Sequence, residues 1–173
     1  MLKETIVAML VVGVSAVAGA RERDLIARFD GGIGVIPVTG GTGTANADGS
    51  LPNVKLNVVR GVSPAGPWRI ADLRAVIESD GEFTVDGKGL LLASGNGIGT
   101  NAGASVFATL FCDTTQPFDP HNTTSVPLDA NGNFHIEGTL ESIPAGCAKP
   151  ALLIRNSANG VWFAAGIPKL GDD

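Results

Sequence analysis

The two histidines, His121 and His135, are the residues with the widest chemical range in this chain. An imidazole titrates near neutral pH, so it can act as a general acid or base or ligate a metal. A zinc or copper site needs three or four converging donors, and two histidines do not supply them. Strand-like alternation places His135 on the face of the strand opposite Phe134 and Ile136, and on the same face as Glu137. This arrangement is typical of a solvated His–carboxylate pair. We therefore assign no catalytic residue and no metal ligand.

The chain contains two cysteines, Cys112 and Cys147. In an exported protein two cysteines usually pair with each other. Closing a loop of about 35 residues would remove unfolded-state entropy worth ~3–4 kcal/mol. A redox pair or a metal thiolate site is disfavoured because C-x-x-C spacing and nearby histidines are missing. The sequence predicts a Cys112–Cys147 disulfide.

Two short motifs could bind a cofactor or an ion. Residues 97–102 match the G-x-G-x-x-A dinucleotide fingerprint, which needs a following helix to hold the pyrophosphate. A β-branched, phenylalanine-rich run follows instead, so we predict a hairpin loop. Residues 129–133 resemble part of a calcium loop, but the glycine is fourth rather than sixth, and a tight turn is favoured. We predict no bound cofactor.

Turn signals define the elements that must position these residues. Asx-Gly dipeptides occur at Asp48–Gly49, Asp80–Gly81 and Asn131–Gly132, each followed by an apolar residue two positions on. Asx and Gly tolerate the positive φ angles of tight hairpins. Between the turns lie about eight or nine short strand-like segments. The sequence predicts an all-β fold, a single antiparallel β-sandwich or barrel-like domain.

Two segments allow more than one interpretation. Residues 70–78 fit strand alternation, but Ile70, Leu73 and Ile77 also fit helical spacing and Pro67 could open a helix. We favour the strand because the Asp80–Gly81 turn follows it. Residues 21–28 are charged and predict a frayed terminus or a first edge strand.

The N-terminus has the pattern of a signal peptide. A short charged region precedes an apolar run and then small residues ending at Ala20. The run is shorter than the ~20 apolar residues of a membrane span. We predict cleavage between Ala20 and Arg21, giving a signal peptide at 1–20 and one all-β domain at 21–173. The product would be secreted, periplasmic or extracellular; retention of residues 1–20 as an anchor is the alternative.

Composition excludes some partners. The net charge is −5 and no basic cluster is present, so nucleic acid and anionic membrane surfaces are poor partners. We expect no stable membrane insertion after cleavage. Tyrosine is absent and tryptophan occurs twice, which disfavours a carbohydrate platform built on aromatic faces. An extracellular ligand or protein remains the expected partner.

Two resemblances accompany these patterns. Four segments, at residues 89–93, 105–110, 152–155 and 161–167, resemble a group of small exported bacterial proteins of uncharacterised function, over most of the mature chain. The hairpin style is similar to chordin-type β-sandwich repeats, although the His-x-His segment and the terminal Gly-Glu-Ile-Arg-Gly of those repeats are missing. The second resemblance implies architecture alone.

Two functional hypotheses follow. The leading one is a non-enzymatic exported protein, a binding or envelope/matrix component that acts through its loops or an edge strand. The alternative is a secreted hydrolase or lyase whose site forms from distant loops near His121, in the loop of residues 119–122, or near His135. No G-x-S-x-G elbow or paired-carboxylate pattern supports the enzyme.

Overall fold

Strands make up the regular structure in the described part of the protein. The computed structural model describes residues 24–36, 38–39, 47, 54–55, 57–140, 142, 144 and 146–169. The strands are β1 Leu25–Gly34, β2 Val38–Thr39, β3 Val54–Lys55, β4 Trp68–Arg69, β5 Asp72–Glu78, β6 Glu82–Lys88, β7 Leu91–Leu92, β8 Ser105–Phe111, β9 Pro120–Asn122, β10 Val126–Pro127, β11 Phe134–Thr139, β12 Ala151–Asn156 and β13 Trp162–Pro168. The described residues contain no helix, which confirms the all-β prediction. Nothing in this part of the chain meets the length and hydropathy of a membrane-spanning helix. The predicted signal peptide, its cleavage site at Ala20 and Arg21, and the Asp48–Gly49 turn lie outside the described residues.

Nine strands form one antiparallel sheet. Their order is β10-β8-β12-β13-β1-β5-β6-β11, with β9 also paired to β8. The end strands β10 and β11 contact one another, because only a tight turn joins them along the chain. The sheet therefore curls round, which is the barrel-like form of the predicted fold. The pairs β2–β3 and β4–β7 form two small separate sheets.

The β5–β6 hairpin confirms the strand interpretation of residues 70–78 from Asp72 onward. At its turn, Gly81 has a φ of +87° and its N–H donates to the Glu78 carbonyl at 2.9 Å. The register pairs Ala75 with Val85. Alternate side chains of both strands are buried, since one face of each strand lies against the core.

β1 corrects the prediction of a frayed terminus or edge strand at residues 21–28. The strand begins at Leu25 and lies between β13 and β5, inside the sheet. Ala27 and Phe29 are buried, whereas Arg28 is exposed. Arg28 therefore stands on the outer face of a strand whose neighbouring residues 27 and 29 face the core.

Phenylalanine rings cover glycines at several places in the core. Phe134 lies directly opposite Gly87, where an added Cβ would stand 2.1 Å from the ring. Phe83 is likewise paired with Gly138. A Cβ at Gly166 would lie 2.9 Å from the ring of Phe29. Large rings thus fill the space that glycine leaves, a known way of stabilising glycine in sheets.

Both faces of β12 are covered. Leu152, Leu153 and Ile154 are all buried, although successive strand residues point to opposite faces. The segment before β4 covers the outer face at one place, where the Trp162 indole N–H donates to the Asn57 carbonyl at 2.8 Å. The segment after β8 packs the ring of Phe118 against Phe111. Two loop segments thus form an outer layer beside the sheet.

The predicted disulfide between Cys112 and Cys147 is present. Cys112 directly follows β8, and Cys147 precedes β12, which is paired to β8. The bond therefore fixes the start of the loop of residues 113–119 to the sheet. Such bonds are typical of proteins that fold outside the reducing cytoplasm.

Candidate functional site

A shallow cleft of about 680 Å³, broadly open to solvent, lies on the outer face of β8 and β12. Two arginines, Arg60 and Arg155, line it. Its apolar walls comprise Val62, Phe111, Pro117, Phe118 and Pro120. Apolar walls with a few polar groups, in a volume of roughly 300–1,000 Å³, are typical of small-molecule sites. We call this site the arginine cleft.

A tight hairpin places Arg60. The N–H of Val59 donates to the carbonyl of Val62 at 3.1 Å, and the reverse bond measures 2.9 Å. The two turn residues, Arg60 and Gly61, have φ angles of +48° and +78°, as a type I′ turn requires. Glycine adopts this conformation freely, but a side chain as large as arginine rarely does. Holding Arg60 there costs about 1 kcal/mol.

Aromatic rings hold both guanidinium groups. The guanidinium carbon of Arg60 lies 5.7 Å from the ring centre of Phe118. That of Arg155 lies 5.0 Å from the ring centre of Phe107, its cross-strand partner on β8. Both distances allow a cation–π attraction.

Hydrogen bonds fix Arg155 further. Its Nε–H donates to the Gly160 carbonyl at 2.7 Å, and Nη1 donates to Oγ1 of Thr109 at 3.3 Å. The Thr109 hydroxyl is fully buried and donates to Oδ1 of Asn122 at 2.8 Å. Burial lowers the pKa of Arg155. The guanidinium still stays charged, because its ordinary pKa is far above neutrality.

The arginine cleft has no counter-charge among the described residues. None of their ion pairs involves Arg60 or Arg155. Two acids lie in the adjoining loop, but Asp113 accepts the N–H of Asp119 at 3.3 Å, and the Asp119 carboxylate lies 3.9 Å from His121. Within the described part of the chain, the two guanidinium groups therefore place positive charge beside apolar walls with no carboxylate paired to it.

His121 occupies a different position from the predicted loop. It is the central residue of β9, opposite Leu110, and 4% of it is exposed. Its Nδ1 lies 2.8 Å from Oγ of Ser142. Its Nε2 lies 3.9 Å from Oδ2 of Asp119, too far for a hydrogen bond. Serine, histidine and aspartate are thus close together, but the carboxylate does not hold the ring as it does in a catalytic triad.

His135 lies where alternation placed it, exposed on β11 beside Glu137. Its Nδ1 lies 2.7 Å from Oδ1 of Asp86, the residue directly opposite on β6. Its Nε2 lies 3.3 Å from Oε2 of Glu137. The hydrogen bond to Asp86, and then that to Glu137, raise the pKa of His135. We call these three residues the His135 cluster; it shares no partner with His121.

The two short motifs are turns. Residues 97–102 lie in a loop of turns, in which the N–H of Leu92 donates to the Thr100 carbonyl at 2.9 Å. The loop joins β7 to β8, which belong to different sheets, so it is not the predicted hairpin. In the other motif, the Asp129 carboxylate accepts the backbone N–H groups of Asn131 and Asn133, both at 2.8 Å. The bond from Asn133 is the main reason why the pKa of Asp129 is lowered. That carboxylate is occupied in holding its own turn.

No protein-family model, curated protein or solved structure matches this chain. The resemblances to small exported proteins and to chordin-type repeats stay predictions. Sequence reasoning missed the arginine cleft and the Ser142–His121 contact. One signal was available for the cleft, the Val59-Arg60-Gly61-Val62 run, which has the form of a two-residue hairpin with arginine in place of Asn or Asp.

Proposed function

We propose that this protein is an exported, non-enzymatic binding protein whose ligand occupies the arginine cleft. One observation carries the proposal: a cleft of ligand size holds two guanidinium groups with no carboxylate partner among the described residues. A half-buried charge without a partner reduces stability. A bound ligand would supply the missing contacts.

The backbone at Arg60 supports this proposal. Stability alone would favour Asn or Gly at a position with a φ of +48°. Strained residues concentrate at ligand-binding sites, where the side chain is needed in one particular place. Arg60 fits that description because its guanidinium lines the cleft.

Ligand mapping tests the proposed function directly. The ¹⁵N-labelled protein would be titrated with a library that includes acids, amines, sugars and neutral apolar compounds. We expect binders to shift the amide resonances of Gly61, Phe118 and their neighbours. Binders that shift only residues elsewhere, or a library without any binder, would refute it.

Export is the other half of the proposal. It is supported by the signal-peptide pattern at residues 1–20 and by the disulfide. We expect the intact mass of the protein recovered outside the cytoplasm to match a chain that begins at Arg21 and has lost two hydrogens through the disulfide. A mass that includes residues 1–20 would instead support a surface-tethered binding protein.

The alternative function is a secreted hydrolase. The 2.8 Å contact between Ser142 Oγ and His121 Nδ1 favours it, because a serine nucleophile needs an adjacent base. A fluorophosphonate probe, which labels activated serines, separates the two proposals. The binding protein should remain unlabelled, whereas labelling that is lost in Ser142→Ala and in His121→Asn would establish the hydrolase.

A further inference from the structure

The walls and charges of the arginine cleft indicate the class of its ligand. We infer that the ligand is a small organic acid, with a carboxylate attached to an aromatic or aliphatic body. This inference rests on the proposed function, since it names what the same cleft binds. It follows from the charge, the walls and the rigidity of the cleft.

The charge selects an anion. Arg155 uses two of its five N–H groups in hydrogen bonds to described residues, at Gly160 and Thr109. The remaining N–H groups of Arg155 and those of Arg60 form no ion pair with a described carboxylate. The flat guanidinium fork matches the two oxygens of a carboxylate.

The walls select an apolar body. Phe111 and Phe118 meet edge to face, with their ring centres 6.4 Å apart and their planes at 82°. Proline rings at 117 and 120 extend this surface. A strongly hydrated inorganic anion would lose water against such walls without compensation. A sugar would find few partners, because Gln116 is the one uncharged polar side chain in the lining.

The arginine positions are fixed before a ligand arrives. The hairpin backbone and the ring of Phe118 restrain Arg60. Thr109, Gly160 and Phe107 restrain Arg155. Groups held in place lose little freedom on binding, so a small ligand can gain measurable affinity from few contacts.

Matched probes test the inference. The probes are 2-naphthoate, the neutral 2-naphthamide with the same body, and inorganic phosphate, measured by calorimetry and by amide shifts. We expect 2-naphthoate to bind in the cleft at least tenfold more tightly than either of the others, since its carboxylate forms charge-assisted hydrogen bonds. Added salt should weaken binding.

Variants complete the test. Arg60→Asn keeps a residue suited to the turn and should weaken 2-naphthoate binding about tenfold. Arg155→Lys should weaken it as well, because the fork is lost while the charge stays. Arg69→Asn is the matched control: it makes the same change in net charge at an exposed residue outside the cleft lining, and it should leave affinity unchanged.

The outcomes separate this inference from the proposed function. If 2-naphthamide binds in the cleft as tightly as 2-naphthoate, and Arg60→Asn has no effect, the ligand class is wrong while the binding function stands. If the cleft takes only amines or sugars from the library, the conclusion is the same. If no compound of any class shifts a cleft residue, the inference and the proposed function both fail.

Discussion

The arginine cleft and the His135 cluster both place charged side chains on adjacent strands, but they differ in how those charges are paired. In the His135 cluster, each ring nitrogen has its own carboxylate, Asp86 at 2.7 Å and Glu137 at 3.3 Å. In the arginine cleft, no described acid pairs with Arg60 or Arg155. The histidine ring therefore has a carboxylate partner at both nitrogens, whereas the two arginines have none among the described residues.

The difference separates a structural role from a binding role. Histidine appears the better candidate by residue type, yet His135 is exposed and its ring contacts are already made. Arginine has no acid–base chemistry at neutral pH, but it remains available where its charge lacks a partner. Availability of contacts, rather than the reactivity of a side chain, therefore marks the candidate site.

The disulfide gives the largest expected effect, and it acts on the side of the arginine cleft. Replacing Cys112 and Cys147 together by Ser should lower the free energy of unfolding by ~3–4 kcal/mol, because the bond closes a 35-residue separation. Urea denaturation measures the loss. Amide shifts should change in the loop of residues 113–119 but not in the His135 cluster. A loss below about 1 kcal/mol would contradict the stapling role.

On the side of the His135 cluster, Gly87→Ala should destabilise the protein. Its new Cβ would lie 2.1 Å from the ring of Phe134, which must then move. We expect a loss of about 1–3 kcal/mol in the free energy of unfolding. The matched control is Gly66→Ala, where an added Cβ meets nothing within 4 Å. Equal losses of unfolding free energy in the two variants would contradict this prediction, because they would show that the Phe134 ring can move aside at no cost.

Arg60→Asn sharpens the comparison, because it should stabilise the protein. Asn suits a φ of +48° better than arginine does. Removing the strain should outweigh the lost attraction to Phe118, for a net gain of roughly 0.5 kcal/mol. Thermal unfolding beside the Arg69→Asn control measures it. A clear loss of stability would show that Arg60 stabilises the fold, as the His135 cluster does, and the contrast between the two regions would then be wrong.

The smallest expected effect is a pH dependence from His135. Its carboxylate partners raise its pKa above the ordinary 6.5. A raised folded-state pKa stabilises the protein fully below pH 6.5, and the contribution disappears as pH rises through the folded value. His135→Gln should abolish this part of the pH profile of stability. An NMR titration of the ring that gives 6.5 or less would contradict the cluster as described.

Local rules predicted much of the fold. Asp80–Gly81 indicated the β5–β6 hairpin, and alternation then identified the buried face of β5. The cysteine pair was predicted from the count and the export signal. The interior position of β1 was missed because the charges of residues 21–28 suggested a frayed terminus or a first edge strand, although Ala27 and Phe29 alternate with Arg28. The strand order depends on pairings between segments far apart in the chain, such as β1 with β13, which no local pattern reports.

The arginine cleft could not be found by spacing. Its walls come from the hairpin at residue 60, the loop that carries Phe118, and Arg155 on β12. Motif searches detect residues that are close in sequence, whereas these meet only through the pairing of β8 with β12 and β9. Arg155 follows four apolar residues in its strand, so sequence alone gave no reason to separate it from an ordinary surface charge.

The phenylalanine–glycine pairs also restrict how this sequence can change over time. At Gly87 almost any side chain would collide with Phe134, while a smaller residue at 134 would leave the space above Gly87 empty. Neither position can change alone at low cost, but both can change together. In a library randomised at 87 and 134, functional clones should therefore show side-chain sizes that compensate. A larger residue at 87 should occur together with a smaller one at 134.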